Sequence, residues 1–150
     1  MKIYNRKFRR EYQEIERYEA GIVLLGAEVK SIREGRIKLD DSFVKIMEDG
    51  AAYLINADIP LYKFSHHKNY DSKRRRKLLL HKRELVRLKT KISSSKGLTI
   101  VPVSCYNKGN LIKIEVALAR GRKDIEKGKL EKQRDIKREQ EKEAKGYLRS

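Results

Sequence analysis

With 150 residues the chain is long enough for one domain and an appendage, and 38 Lys+Arg against 21 Asp+Glu leave a formal net charge of +17. That excess points to a polyanion as partner. No run of about 18 apolar residues exists to span a bilayer, and no basic helix carries a wide apolar face, so nucleic acid is favoured over a membrane.

The first residues, MKIYNRKFRR, have the charge of a secretion signal without the apolar segment that must follow, so secretion is not expected. A single cysteine, Cys105, excludes an internal disulfide and agrees with a reducing cytoplasm. Tryptophan is absent and 39% of residues are hydrophobic, so the core must be compact and confined to part of the chain.

Residues 2–12 are basic with aromatics interspersed. Tyr4, Phe8 and Tyr12 recur every four residues, which puts them on one face if the segment is helical. The segment reads as a turn docking three aromatics on the core, and equally as an arm offering Arg6, Lys7, Arg9 and Arg10 to phosphates. From Glu14 to Leu25 the β-branched and aromatic content favours a strand, with bends or bulges at Gly21 and Gly26. Leu25, Val29 and Ile32 then make the stripe of a short helix, with Glu28 near its start and Gly35 at its stop. Lys30, Arg33 and Glu34 face outward.

Residues 42–47 and 51–55 are strand-like runs joined through Asp49-Gly50, a strong hairpin signal. Residues 63–77 lack apolar periodicity and read as an exposed, mobile loop. Leu78, His81, Leu85, Leu88 and Ile92 make one helical stripe, from which Leu79 falls away. The triple leucine is alternatively a short buried strand, with the helix starting near Lys82. Leu98 to Tyr106 is a strand whose Pro102 marks an edge or bulge. After the turn at 107–110, Ile112, Ile114, Val116 and Leu118 alternate with Lys113, Glu115, Ala117 and Ala119 as a half-buried strand.

Beyond Leu118 the few apolar residues share no stripe, and Gly121, Gly128 and Gly146 interrupt the segment. It cannot bury enough surface to offset its ordering entropy, so a tail disordered alone and helical on a partner is expected. Four strands in two hairpins, one or two more near 14–25 and 53–59, and two or three accessory helices predict a mainly β chain. The favoured architecture is a small Greek-key barrel of the oligonucleotide-binding type, with a split α+β sandwich as competitor. The expected division is a barrel domain over 1–119 and a basic tail over 120–150.

Catalytic chemistry finds no foothold. His66-His67 sits in a polar loop without cysteines, and His81 is not at a metal-ligand spacing from it. His81, on the apolar stripe, reads as a hydrogen-bonded structural histidine. Asp40-Asp41 reads as a turn rather than a Mg²⁺ site. There is no phosphate-cradling GxxxxGK[ST] and no GxSxG, and Cys105 is expected to be a buried, inert thiol. No enzyme, metal or cofactor is expected. The run Lys73 to Lys77, with Tyr62 and Tyr70 nearby, is instead suited to phosphate contact, and tyrosines on such a barrel can stack on unpaired bases.

Several blocks closely resemble the family of SsrA-binding proteins (small protein B): NRKFRREY (5–12), YEAGIVLLGAEVKSIREG (18–35), DDSFVKI (40–46), RKLLLHKREL (76–85), KGLTIVPVSCY (96–106) and VALARGRK (116–123). The resemblance implies a cytoplasmic, monomeric RNA adaptor. It would bind the tRNA-like domain of transfer-messenger RNA and deliver it to ribosomes stalled without a stop codon, touching both subunits. By matching blocks, the family's RNA-binding positions fall on Asn5, Tyr12, Glu19 and Leu79, with Arg6, Lys7, Lys30, Arg33, Arg76, Lys77 and Lys82 as the neighbouring cations. Glu19 would either accept hydrogen bonds from base amino groups or buttress an arginine. Arg122, Lys123, Lys127, Arg134, Lys137 and Arg138 would make up the ribosome-contacting tail, which probes the empty mRNA channel. The tail departs from the family pattern at Ile125-Glu126-Lys127-Gly128, where an aromatic or His followed by Asp-Lys-Arg is usual. The alternative is a basic structural protein of the ribosome, or a general RNA-binding module.

Overall fold

The computed structural model describes residues 1–149, with the backbone alone at 124, 127, 128 and 143–149. Seven strands follow in the order β1 (Lys2–Tyr4), β2 (Tyr12–Ile22), β3 (Phe43–Ile46), β4 (Ala52–Ile55), β5 (Arg76–Leu79), β6 (Leu98–Lys108) and β7 (Leu111–Gly121). Helix α1 (Phe8–Glu11) lies between β1 and β2, α2 (Gly26–Arg33) between β2 and β3, and α3 (Lys82–Ser94) between β5 and β6; α4 (Arg122–Arg149) comes last.

All strand pairings are antiparallel. β6, β3, β4, β5, β2 and β7 pair in succession, and β7 pairs back onto β6. The pairings therefore close on themselves, which leaves no free edge in the ring. β1 adds to β6 through Lys2↔Tyr106 and Tyr4↔Ser104.

The alternation in β7 places Ile112, Ile114, Val116 and Leu118 in the interior, where they meet Val44, Leu54, Leu78, Ile100 and Cys105. Burial pushes the Cys105 thiol up to about 12, as suits an inert cysteine. The other face of β7 is not the half-exposed surface its alternation predicts. Ala117 and Ala119 are fully buried, because Phe8 of α1 and Tyr12 cover them and Val101 and Val103 in a second, smaller cluster. Small alanines leave room there for Phe8 and Tyr12. Phe8 and Tyr12 stack with centroids 6.1 Å apart, whereas Tyr4 stands apart on β1 and is exposed, so the three aromatics do not share one helical face. Pro102 sits at a bulge, where the β6–β7 register shifts between Pro102 and Ser104.

α2 and α3 close the interior by way of Ile32 and Leu88, both fully buried. Gly35 (φ +76°) stops α2 in the left-handed region: its N–H bonds the Ile32 carbonyl (2.8 Å) and the Arg36 N–H that of Ser31 (3.0 Å). Of the two readings of the triple leucine, the strand holds: β5 ends at Leu79 and α3 starts at Lys82. His81 is consequently not a stripe residue. It is an exposed N-cap whose backbone N–H donates to the Glu84 carboxylate (3.0 Å), because the helix begins one residue after it.

α3 is tied to β2 by Glu16. A bulge between Glu14 and Glu16 shifts the β2–β7 register, and the Glu16 carboxylate accepts Arg87 Nε (3.0 Å) and Nη2 (2.6 Å), Lys91 Nζ and the Tyr18 hydroxyl. These donors, Arg87 foremost, hold the Glu16 carboxyl far below its ordinary value of 4.5.

β7 runs to Gly121, two residues past the expected end of the body, and α4 takes up Arg122–Arg149 as one helix, the form expected of the tail on a partner. Its Glu, Lys, Arg and Gln side chains have good intrinsic helix propensity, which compensates for the missing apolar stripe. The body grips its root, where Arg122 Nε donates to the Arg9 carbonyl (3.0 Å); residues 129–142 are exposed.

The Glu16 cluster has a defined pH signature. Its folded carboxyl is depressed, so the stabilisation is fully present above about pH 4.5 and is lost as pH falls toward the folded value. Glu16→Gln should therefore lower the melting temperature at pH 7 and flatten its decline between pH 5 and pH 3, measured by circular dichroism.

Candidate nucleic-acid interface

The expected RNA-binding residues separate into buried and exposed sets. Arg76 is the main correction. Strand alternation turns Arg76 and Leu78 inward and Lys77 and Leu79 outward, and Arg76 is fully buried. Its Nε and Nη2 donate to Glu28 Oε2 at 2.8 and 2.6 Å, its Nη1 to the Ala57 carbonyl at 2.8 Å, and Nη2 also to the Ser72 carbonyl at 3.0 Å. Fully buried, it is out of reach of a phosphate at the surface.

Glu28, equally buried, accepts in addition the Leu25 N–H (2.8 Å) and Arg74 through Nε (3.1 Å) and Nη2. The Tyr70 hydroxyl lies 3.0 Å from Glu28 Oε2 and 2.7 Å from the Ile59 carbonyl. Burial pushes the Glu28 carboxyl up, but Arg74, the Leu25 N–H and Arg76 together leave it below its ordinary value. The loop expected to be mobile over 63–77 is thus pinned by Tyr70 and Arg74, and its last two residues belong to β5.

Asn5 is also structural. It is buried, its amide donates to the Pro102 carbonyl (2.9 Å), and its Oδ1 accepts the Lys7 N–H (3.2 Å). It sets the turn from β1 into α1. Lys7 pairs with Asp41 at 2.7 Å, whereas Arg6 is exposed.

Glu19, Lys77, Leu79 and Lys82 do reach the surface. Leu79 is 55% exposed, an unusual position for a leucine on a strand. Gly21 lies opposite it, and a Cβ there would come 3.3 Å from Leu79 Cβ, so the glycine leaves the notch that Leu79 occupies.

The notch belongs to a row that the sequence did not disclose. Lys2, Tyr106, Lys113, Gly21 and Leu79 lie opposite one another in turn across β1, β6, β7, β2 and β5. Residues opposite in register share a face, so they form one outer band of cation, aromatic, cation, gap and aliphatic. Lys2 Nζ stands 5.3 Å from the Tyr4 ring centroid and 5.5 Å from that of Tyr106. Glu19, beside the band, accepts the Tyr106 hydroxyl and Lys108 Nζ (3.0 Å). These two, Tyr106 first, lower its carboxyl, while burial and then Glu19 raise the Tyr106 hydroxyl. Glu19 therefore buttresses a tyrosine and a lysine rather than an arginine. The parity of β7 was the available signal: with Ile112 and Ile114 inside, Lys113 had to face out.

The remaining expected residues lie elsewhere. Lys30 Nζ is 5.4 Å from the Tyr62 ring and Arg33 Nη2 donates to the Asn110 carbonyl (3.4 Å), both on the exposed side of α2. Tyr12 lines a groove of about 680 Å³ together with Arg10, Leu98, Thr99, Arg122 and Lys123, which joins a barrel residue to the root of α4. Arg134, Lys137 and Arg138 are exposed on α4; the side chain of Lys127 and residue Gly128 fall outside the described side chains. Among the described residues no cluster of His, Cys, Asp and Glu is arranged to hold a metal ion.

A closed antiparallel ring bearing an outer band of tyrosines and lysines, with a cationic helix at its exit, defines a barrel-type nucleic-acid-binding protein. The comparisons with known proteins make this specific. Residues 2–146 match the SmpB protein family, and the chain belongs to it. The SsrA-binding protein of Sulfurihydrogenibium sp. (strain YO3AOP1) is 50% identical over 97% of this chain and 94% of its own length. That of Aquifex aeolicus (strain VF5) is 48% identical over 96% and 91%. A solved chain from work described as "tmRNA-SmpB: a journey to the center of the bacterial ribosome" superposes with a TM-score of 0.66 at 46% identity, covering 80% of this chain and 83% of that one.

The buried pair predicts how Arg76 behaves. Arg76→Met should destabilise the protein by about 3 kcal/mol in urea unfolding, because Glu28 is left short of its main partner away from water. A variant folded as well as the parent but deficient in RNA binding would return Arg76 to the surface.

Proposed function

We propose that the chain is an RNA-binding adaptor that binds the tRNA-like domain of transfer-messenger RNA and brings it to stalled ribosomes for trans-translation. Its membership of the SmpB family along nearly its whole length carries this reading. The SsrA-binding proteins it resembles are named for their RNA, and the solved relative comes from a description of tmRNA-SmpB and the bacterial ribosome. The outer band supplies the chemistry. Lys2 and Lys113 meet phosphates, Tyr4 and Tyr106 offer rings to exposed bases, and Leu79 fills an apolar contact at the Gly21 notch. Arg6, Lys77 and Lys82 extend the positive field at its margins. Binding and positioning of RNA account for these features, and no catalytic step is assigned to any residue.

The division of labour follows the fold. The body binds RNA, and the segment beyond it, with Arg122, Lys123, Lys127, Arg134, Lys137 and Arg138, enters the vacant mRNA channel of the small subunit. A helix gripped at its root and exposed over 129–142 suits that task, since the cations there remain available to ribosomal RNA. Among the described residues no helix is long and apolar enough to cross a membrane, and the cytoplasm, where ribosomes translate, is the place of action.

Deletion of residues 122–150 should leave affinity for the tRNA-like RNA within about two-fold while abolishing peptide tagging on ribosomes stalled in a reconstituted translation system; lost RNA affinity would refute the division. Binding of that RNA should weaken with salt at a slope of about −0.7 to −0.9 per phosphate contact. Leu79→Ala should change stability by less than about 0.5 kcal/mol, since the side chain is exposed. It should still weaken RNA binding about five-fold or more in filter-binding titrations.

A further inference from the structure

The outer surface of β3, β4 and β5 carries a second pattern, which meets the band just described at β5, where Lys77 stands two residues before Leu79. Lys45, Tyr53 and Lys77 lie directly opposite one another on the three strands. Their chain neighbours Val44, Leu54 and Leu78 are core residues, which fixes Lys45, Tyr53 and Lys77 on the outer face. Adjacent strands are about 4.8 Å apart, so the two lysines flank the tyrosine on strands about 10 Å apart.

Arg75, just before β5, lays its guanidinium over the Tyr53 ring, 4.8 Å from the centroid. The far edge of the ring is anchored by the hairpin turn: the Tyr53 hydroxyl donates to Asp49 Oδ2 (2.6 Å), and Asp49 Oδ1 accepts the Ala51 N–H (3.0 Å). Arg75 is exposed, and among the described residues none of Lys45, Arg75 and Lys77 is in an ion pair.

We propose that this face binds single-stranded RNA, one base continuing the Tyr53–Arg75 stack while the phosphates on either side meet Lys45 and Lys77. Asp49 is the acid beside them, its carboxyl lowered by the Tyr53 hydroxyl and in part by Lys77 and Arg75, and three cations against one carboxylate leave an excess that calls for a polyanion. The fixed ring and its planar cap select one with free base faces, which a duplex keeps stacked inside. An acidic peptide would satisfy the lysines and leave the anchored ring without a role. The site goes beyond the contact with the tRNA-like domain and does not depend on it.

The test uses the full chain and a fluorescein-labelled oligouridylate of 12 nucleotides, with the tRNA-like RNA titrated in parallel. Tyr53→Leu and Arg75→Lys should each weaken oligouridylate binding about five-fold or more, and Tyr53→Phe should retain it. The effect of Arg75→Lys, which keeps the charge and loses the plane, separates stacking from simple attraction. None of the three should shift affinity for the tRNA-like RNA by more than about two-fold, so failure of one reading does not mimic failure of the other. A 4-thiouridine version of the oligonucleotide should cross-link to the tryptic peptide 46–63, which holds Tyr53. Unchanged oligouridylate affinity in Tyr53→Leu, cross-links confined to other peptides, or polyglutamate competing as well as the oligonucleotide would overturn the proposal.

Discussion

The buried pair between Glu28 and Arg76 is the constraint on which the arrangement of this protein depends. It joins α2 to β5 across 48 residues of sequence, and neither side chain has access to water. Removing two charges from solvent costs several kcal/mol per ion, and the cost is offset only when every donor and acceptor is matched. Here the matching recruits Arg74, Tyr70 and the carbonyls of Ala57 and Ser72, so the long connection between β4 and β5 is folded down onto α2. Replacing the pair by apolar side chains would not organise that connection, because hydrophobic contact lacks direction. The ionic arrangement specifies one geometry.

That geometry has a consequence on the outside. With Arg76 and Leu78 held in the interior, Lys77 and Leu79 must face solvent, and Gly21 on the adjoining strand makes room for Leu79. The surface row from Lys2 to Leu79 is thus the reverse side of the core register. A one-residue slip of β5 would send Arg76 to the surface and bury Lys77 without a partner, so the buried pair guards the register of the binding band.

The charged side chains fall into two classes that composition cannot separate. Glu16 and Glu28 take up cations structurally: Glu16 clamps α3 through Arg87 and Lys91, and Glu28 pairs with both Arg74 and Arg76. Glu19 acts at the boundary, orienting Tyr106 and Lys108 beside the band. The cations left over on the barrel, among them Lys2, Lys113, Lys45 and Lys77, face outward from strands and are available to a polyanion. On α4 they stand on a helix that is exposed over 129–142.

Much of this was legible locally. The Asp49-Gly50 hairpin, the stop of α2 at Gly35, the alternation of β7 and the family blocks all rest on contacts within a few residues or on quoted words of sequence, and the structure keeps them. The sequence also showed an uncompensated positive charge and no built catalytic site. It could not rank the five cations from Lys73 to Lys77, which look alike as a string. Only the tertiary structure distinguished Arg76, a core residue, from Lys77, a surface one. Burial of a guanidinium is decided by whether a carboxylate waits for it, and that carboxylate, Glu28, is contributed from 48 positions away. For the same reason Asn5 is buried against the Pro102 carbonyl, 97 positions away, and Tyr106 and Lys113, on different strands, are neighbours on one face through a pairing register that strand parity alone does not record.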